Sequence, residues 1–126
     1  MNLEIIKQAV RQAAALCTTV QQNHLISNEK AGAEPVTIAD YGSQALICEA
    51  ISREFPSDAV LAEESGAQFL EVVDATQRAE IVALIGQTLG RTVSESDVVD
   101  WLDYGKTATA DRIWVIDPID GTKGFL

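Results

Sequence analysis

The chain has 126 residues, of which 47% are apolar and 22% are charged, and this composition is typical of one globular domain. It carries 19 Asp and Glu residues against 9 Lys and Arg, a formal net charge of −10. That charge argues against nucleic acid and an anionic membrane surface as partners, because both are bound through clusters of Lys and Arg. A small phosphorylated substrate stays compatible, since a cation held between carboxylates and phosphate reverses the local sign.

The sequence also argues against membrane insertion, secretion and zinc binding. No apolar run approaches the roughly 20 residues of a membrane span, and the N-terminus lacks the pattern of a signal peptide. Cys17 and Cys48 lie far apart among apolar residues, which predicts buried, reduced thiols in a cytoplasmic protein. His24 is the single histidine, and no Cys/His spacing typical of a zinc site is present.

The first half of the chain is expected to form two helices. Apolar residues at three- and four-residue spacing predict an amphipathic helix of roughly 20 residues, followed by a loop over 22–35. This stripe consists of Leu3, Ile6, Val10, Ala13, Cys17 and Val20. The second helix is expected to begin near Thr37, where Thr37-x-x-Asp40 fits a capping box, and to end before Pro56.

The second half is expected to alternate strands and helices. A short buried strand is predicted over Ala59–Ala62, and a second strand over residues 112–116, RIWVI. Between them, apolar spacing predicts a third helix closed by Gly90 and a fourth that begins at Ser94, followed by a polar loop. Two strands are too few for a stable sheet, so the chain is expected to be the first part of a larger domain.

Acidic residues follow both predicted strands. Glu63 and Glu64 leave the first strand, and Asp117 and Asp120 leave the second. If the strands are neighbours with matched ends, up to four carboxylates converge at one edge and raise one another's pKa. A divalent cation relieves that repulsion, and Mg²⁺ suits such a site because it takes a few carboxylates and completes its octahedron with water and phosphate oxygens.

The turn after the second strand, Asp117-Pro-Ile-Asp-Gly-Thr122, is compatible with a metal site. Pro118 fixes the backbone after the first acid, and Gly121 permits a sharp turn, so both aspartates and the Ile119 carbonyl can face one point. Taken alone, each part has a simpler explanation. Asp-Pro and Asp-Gly are common in ordinary turns, Glu63-Glu64 is typical of a solvated pair, and Asp40 is typical of a helix cap.

Three segments in this order carry a family resemblance: EPVTIAD (34–40), AEES (62–65) and DPIDGTKGF (117–125). Together they resemble the inositol-monophosphatase-like, lithium-sensitive phosphatases, and the Lys-Gly-Phe ending most resembles the 3′(2′),5′-bisphosphate nucleotidase branch. The resemblance implies an α+β fold, the N-terminal part of a layered αβαβα sugar-phosphatase fold, with helices packed on an incomplete, mainly antiparallel sheet. It also implies a small nucleotide phosphate as substrate, 3′-phosphoadenosine 5′-phosphate or its sulfated precursor.

The resemblance further implies a set of metal ligands for two or three Mg²⁺ ions. Glu63, Asp117 and the Ile119 carbonyl would hold a first ion, and Asp117 and Asp120 would contribute to a second. Glu64 would neighbour these ligands or belong to a third metal site.

The catalytic residues implied by the resemblance are Glu63, Asp40 and Thr122. Thr122 would orient the attacking water, with its hydroxyl polarised by Asp40. The backbone amides of Gly121 and Thr122 would hold phosphate oxygens at the start of a following helix.

Residues 1–126 are interpreted as the N-terminal portion of such a domain, without its C-terminal half. The family's third metal aspartate lies in a later Trp-Asp motif, and Trp101-Leu-Asp103 lies too early to replace it. The 126 residues alone are therefore expected to show little or no activity. Three alternatives stay open: a non-catalytic metal-binding or interaction fragment, an inositol monophosphatase, and an ordinary acidic domain that matches the motifs by chance. The oligomeric state is unknown.

Overall fold

The structure is a computed structural model that describes residues 2–27, 35–107 and 109–117. Within these ranges the chain is mostly helical with one small sheet, in agreement with the expected α+β class. The elements are α1 (Glu4–Ser27), α2 (Pro35–Glu54), β1 (Ala59–Ala62), α3 (Gly66–Val72), α4 (Ala75–Leu89), α5 (Glu95–Leu102) and β2 (Ile113–Ile116). No helix in the described ranges combines the length and the apolar character needed to cross a bilayer.

Helix α1 is longer than predicted and continues to Ser27, into the region expected to be a loop. Its buried face is Ile6, Ala9, Ala13, Leu16 and Val20. The predicted stripe is therefore partly wrong: Leu3 and Val10 are 39% and 50% exposed, and Cys17 is half-buried. The buried face packs against α2. The buried face is rotated about the helix axis relative to the predicted one, because contact with α2, and not the spacing of apolar residues alone, decides which positions are buried.

Helix α2 begins at Pro35, two residues before the predicted start. Proline suits the first helical position because its missing N–H has no partner there in any helix. Thr37 and Asp40 both lie inside the helix, so the predicted capping box is wrong. The helix is buried along most of its length between α1 and the two later helices α4 and α5, and its side chains can therefore support a site from within the core.

Three shorter helices connect the two strands, each begun by a side-chain cap. Ser65 and Gln68 form a capping box at the start of α3, a helix that the sequence analysis did not predict. The predicted ends of the other two helices are confirmed: Gly90 closes α4 with φ 73°, and Ser94 forms a capping box with Asp97 at the start of α5.

The two strands are adjacent and parallel, with Ala59 opposite Ile113 and Ala62 opposite Ile116. The expected antiparallel arrangement is thus wrong for the strand pair that the structure describes. The physical reason is the connection, because the three helices between the strands form a crossover that returns the chain to the same end of the sheet. One face of the sheet packs on the helices, and the other presents exposed Leu61 and Val115. The strand Ala59–Ala62 was predicted to be buried, but only its first two residues are buried, and Leu61 is exposed.

A polar cluster at the start of the strands sets their register. The Asp58 carboxylate accepts hydrogen bonds from Arg112 Nε at 2.6 Å and from Trp114 Nε1 at 2.8 Å. The Arg112 carbonyl in turn accepts from the Ala59 N–H at 3.0 Å. These bonds tie the residue before β1 to the start of β2, and they lower the pKa of Asp58, first through the bond from Arg112.

The core has two parts, which meet along α2. The larger part lies among the helices, with Phe69, Ile81 and Ile85 fully buried at its centre. The smaller part lies under the sheet, where Val60 and Ile116 pack on Ile6 and Ile51. Because the second part fixes both strands against α1 and α2, the carboxyl ends of the strands have a defined position relative to α2.

Candidate active site

The strand register places two of the predicted acids side by side. Glu63 follows Ala62 and Asp117 follows Ile116, and these last strand residues are partners in the sheet. Both carboxylates therefore leave the sheet at the same edge, where parallel strands expose their carboxyl ends. The expectation that the two strands are neighbours with matched ends is confirmed, and Glu63 and Asp117 are both exposed at that edge.

Asp40 on α2 faces the same edge. The pKa of Asp40 is raised to about 6, first by burial and then, in decreasing order, by the carboxylates of Glu64, Glu63 and Asp117. Carboxylates perturb one another in this way only at short range, so the four acids form one cluster. We call these residues, Asp40, Glu63, Glu64 and Asp117, the acidic cluster.

Glu64 contacts the protein through both its side chain and its backbone. Its carboxylate accepts a hydrogen bond from the hydroxyl of Tyr41, a buried residue whose ring packs on Phe69 with centroids 5.6 Å apart. Burial raises the pKa of Glu64, the Tyr41 bond lowers it, the charge of Glu63 raises it and Lys106 lowers it. Burial and the same carboxylate raise the pKa of Tyr41, which keeps the hydroxyl a donor.

The backbone beside Glu64 is held by several elements. Gln44 on α2 bonds both the N–H and the carbonyl of Glu64, and Lys106 Nζ donates to the same carbonyl. One step further along, Gly66 N–H donates to Asp103 Oδ1 at 2.9 Å. Side chains from α2 and from the turn after α5 therefore fix the segment in which Glu63 and Glu64 lie.

An apolar cavity of about 350 Å³ lies beside Asp117, between α1, α2 and β2. Cys17 and Ser43 line it, and the Cys17 Sγ lies 3.3 Å from the Ser43 hydroxyl. Burial raises the pKa of the Cys17 thiol, so the thiol stays protonated at neutral pH. Cys17 and buried Cys48 are both free, which confirms the prediction of unpaired thiols, although Cys17 is only half-buried.

Four of the predicted site residues lie outside the described residues: Ile119, Asp120, Gly121 and Thr122. Their roles stay predictions. Among the residues that the structure does describe, no three His, Cys, Asp or Glu side chains are arranged to hold a metal ion. The acidic cluster nevertheless offers the oxygen donors that a hard divalent cation prefers, and burial first, then the charges of neighbouring acids, raises the pKa of both Asp40 and Glu64.

Comparison with known proteins places this geometry in a family. The sequence profile of the inositol monophosphatase family matches residues 2–126, nearly the whole chain. The chain belongs to the inositol monophosphatase family. Family membership confirms the resemblance inferred from the three motifs.

Several relatives of the chain are named 3′(2′),5′-bisphosphate nucleotidases. The protein of that name from Emericella nidulans is 44% identical over 105 residues, which is 73% of this chain and 29% of the relative. The 3′(2′),5′-bisphosphate nucleotidase 1 of Arabidopsis thaliana is 36% identical over 99% of this chain and 39% of its own length. The 3′(2′),5′-bisphosphate nucleotidase of Oryza sativa is 36% identical over 99% of this chain and 38% of its own length. The chain thus spans less than two fifths of these relatives.

Three residues of this site were missed in the sequence analysis: Tyr41, Gln44 and Lys106. Gln44 could have been found, because it lies four residues after Asp40 and therefore on the same face of a helix. Tyr41 and Lys106 have no comparable signal, since a tyrosine on a helix and a lysine in a polar loop are both ordinary. Their roles depend on contacts with Glu64 across more than 20 residues of sequence.

Proposed function

We propose that the full-length protein containing these residues is a Mg²⁺-dependent phosphomonoesterase of the bisphosphate nucleotidase type. It would hydrolyse 3′-phosphoadenosine 5′-phosphate, or the sulfated precursor of that compound, to a 5′-nucleotide and phosphate, a reaction of sulfur assimilation. The observation that carries the proposal is the convergence of the acidic cluster at the carboxyl edge of two parallel strands, in a chain whose relatives are named as such nucleotidases.

Magnesium is the cofactor that this donor set fits best. Glu63, Asp117 and the Ile119 carbonyl would hold one ion, Asp117 and Asp120 would contribute to a second, and Glu64 would neighbour them or join a third. All these ligands are oxygens, which Mg²⁺ prefers. When bound, the metal supplies an activated water and offsets the negative charge that develops on the phosphate.

The protein's own groups would bind the substrate and orient the water. The backbone amides of Gly121 and Thr122 would donate to phosphate oxygens, and the Thr122 hydroxyl would orient the water. Asp40 would accept the proton of that hydroxyl in a hydrogen bond and so fix the direction of its lone pairs. Asp40 is suited to this role because α2 holds it half-buried beside Glu63 and Asp117.

We also propose that the protein is cytoplasmic. Cys17 and Cys48 form no disulfide, as is usual for thiols in a reducing compartment.

Phosphate release by the purified full-length protein tests the proposed activity. The substrates to compare are 3′-phosphoadenosine 5′-phosphate, a 5′-nucleotide with no 3′-phosphate, and an inositol monophosphate. We expect release from the first only, strictly dependent on Mg²⁺ and abolished by EDTA. Glu63→Gln should reduce release to background, whereas the matched control Glu71→Gln, an exposed residue of α3, should leave it unchanged. Preference for the inositol phosphate, or release without a divalent cation, would contradict the proposal.

A further inference from the structure

Gln44 is a buried polar residue directly behind the acidic cluster. It lies on α2, one helical turn after Asp40, and its exposure is 0%. A glutamine in this position is unusual, because a buried amide is unfavourable unless every polar atom has a partner. The use of an amide here, among apolar neighbours, indicates that its hydrogen bonds serve a specific purpose.

The amide of Gln44 makes a paired contact with the backbone of Glu64. Nε2 donates to the Glu64 carbonyl at 2.8 Å, and Oε1 accepts from the Glu64 N–H at 2.9 Å. Nε2 also donates to the Leu102 carbonyl at the end of α5, at 3.2 Å. Both amide protons and the amide oxygen are therefore used, and the opposite orientation of the amide would place its oxygen against two carbonyls.

Gln44 is the described side chain that connects this backbone to the helix of Asp40. Lys106 and Asp103 also hold the segment Glu64–Gly66, but they come from the turn after α5. Glu63 immediately precedes Glu64, the residue whose N–H and carbonyl are bonded to Gln44. A change in these bonds would therefore displace both Glu63 and Glu64 relative to Asp40. Displacements of about 1 Å can lower the rate of a positioned reaction about 100-fold.

We propose that Gln44 is a positioning residue of this active site: its paired bonds to the Glu64 backbone hold Glu63 and Glu64 at a fixed place relative to Asp40, before metal binds. The inference rests on the proposed function, because it assigns Gln44 a role at the magnesium site. In this role Gln44 would touch neither substrate nor metal and would act only through the backbone of Glu64. Residues that orient metal ligands in this indirect way typically change metal affinity by about 10- to 100-fold when they are lost.

The first test measures Mg²⁺ affinity in the full-length protein by titration calorimetry without substrate. Gln44→Met keeps the length of the side chain and removes its hydrogen bonds, and we expect about 10-fold weaker Mg²⁺ binding and a lower kcat with little change in KM. The control is Ile85→Ala or Ile85→Val, whichever matches the melting temperature of Gln44→Met. Ile85 is fully buried on α4 and makes no hydrogen bond to the acidic cluster. Its variant should bind Mg²⁺ within about twofold of the unaltered protein.

Equal Mg²⁺ affinities for Gln44→Met and the unaltered protein, or equal losses in Gln44→Met and the control, would overturn the positioning role. Failure of the unaltered protein to bind Mg²⁺ would instead contradict the proposed function, and the positioning role with it. The two failures are distinguishable because the second appears without any substitution.

A second measurement needs no variant. If Gln44 holds the segment before metal binds, the Glu64 amide hydrogen should exchange slowly in the metal-free protein, as slowly as amides inside α2. We expect protection at least about 100-fold greater than that of the amides of Ala67 and Gln68, two exposed residues in the first turn of α3. Exchange of the Glu64 amide at the rate of those exposed amides would overturn the proposal even if Gln44→Met did not fold.

Discussion

Asp40→Asn should stabilise the metal-free protein while it reduces activity. The pKa of Asp40 is about 6 in the folded protein, against an ordinary value of 3.8, chiefly because of burial and then because of Glu64, Glu63 and Asp117. The folded state thus holds this proton more tightly than the unfolded chain does. Stability from Asp40 is fully present below pH 3.8 and is lost as the pH rises through 6.

The size of the effect follows from the pKa difference. At about 1.4 kcal/mol for each pH unit, the difference between 3.8 and about 6 sets an upper limit near 3 kcal/mol. Asp40 is only half-buried, and solvent screening reduces the effect of such a group, so we expect about 1 kcal/mol between pH 4 and pH 7. Asparagine keeps the shape of the side chain and carries no charge, so it avoids this loss.

Urea unfolding in EDTA at a series of pH values measures this difference. The gap in unfolding free energy between Asp40→Asn and the unaltered protein should widen in favour of the variant from pH 4 to pH 7 and stay constant above. Asp100→Asn, an exposed aspartate on α5, should show no such widening. Parallel curves for Asp40→Asn and the unaltered protein would refute the placement of Asp40 among the other carboxylates.

Three further substitutions test separate parts of the structure. Asp117→Asn in the full-length protein should abolish Mg²⁺-dependent phosphate release, because Asp117 is proposed to contact both ions; a kcat close to that of the unaltered protein would exclude that role. Gly66→Ala should destabilise the protein by about 1–3 kcal/mol in urea unfolding, because an added Cβ would lie 2.5 Å from Asp103 Oδ2; a neutral result would contradict the close approach. Asp58→Asn should lower the melting temperature most at neutral pH and least in acid, since the Arg112 bond lowers the pKa of Asp58 and its stabilisation is lost as the pH falls; the same loss at every pH would exclude a role for the charge.

The sequence predicted best those features that depend on residues close together in the chain. The predictions of the strand Ala59–Ala62, of the glycine that ends α4 and of the serine cap of α5 were all correct. The last two depend on helix ends, which are decided by about four residues of sequence. The same kind of signal was present for α3, where Ser65 and Gln68 have capping-box spacing, and it was overlooked. Long-range features were less accessible, since the buried face of α1 depends on how α2 packs against it.

The relative direction of the two strands was predicted wrongly from the family resemblance, although the order of elements along the chain favoured the correct, parallel arrangement. Three helices separate β1 from β2, and a helical crossover normally joins parallel strands. The antiparallel expectation came from the resemblance alone. This error does not affect the argument for the site, because that argument requires only that the strands be neighbours with their carboxyl ends matched. Glu63 and Asp117 satisfy that condition in a parallel pair.

The acidic cluster shows why the supporting residues of such a site escape a search for charged motifs. Buried carboxylates that lie close together are unfavourable while no cation is bound: burial first, and the neighbouring charges next, raise the pKa of Asp40 and of Glu64. A cationic partner for each acid would relieve that repulsion but would also compete with the metal for the same oxygens. The structure holds Glu64 through its backbone, with the neutral amide of Gln44 and the ammonium of Lys106, and through its carboxylate, with the hydroxyl of Tyr41. Two of these three groups, the Gln44 amide and the Tyr41 hydroxyl, carry no charge, so a search for charged motifs does not find them.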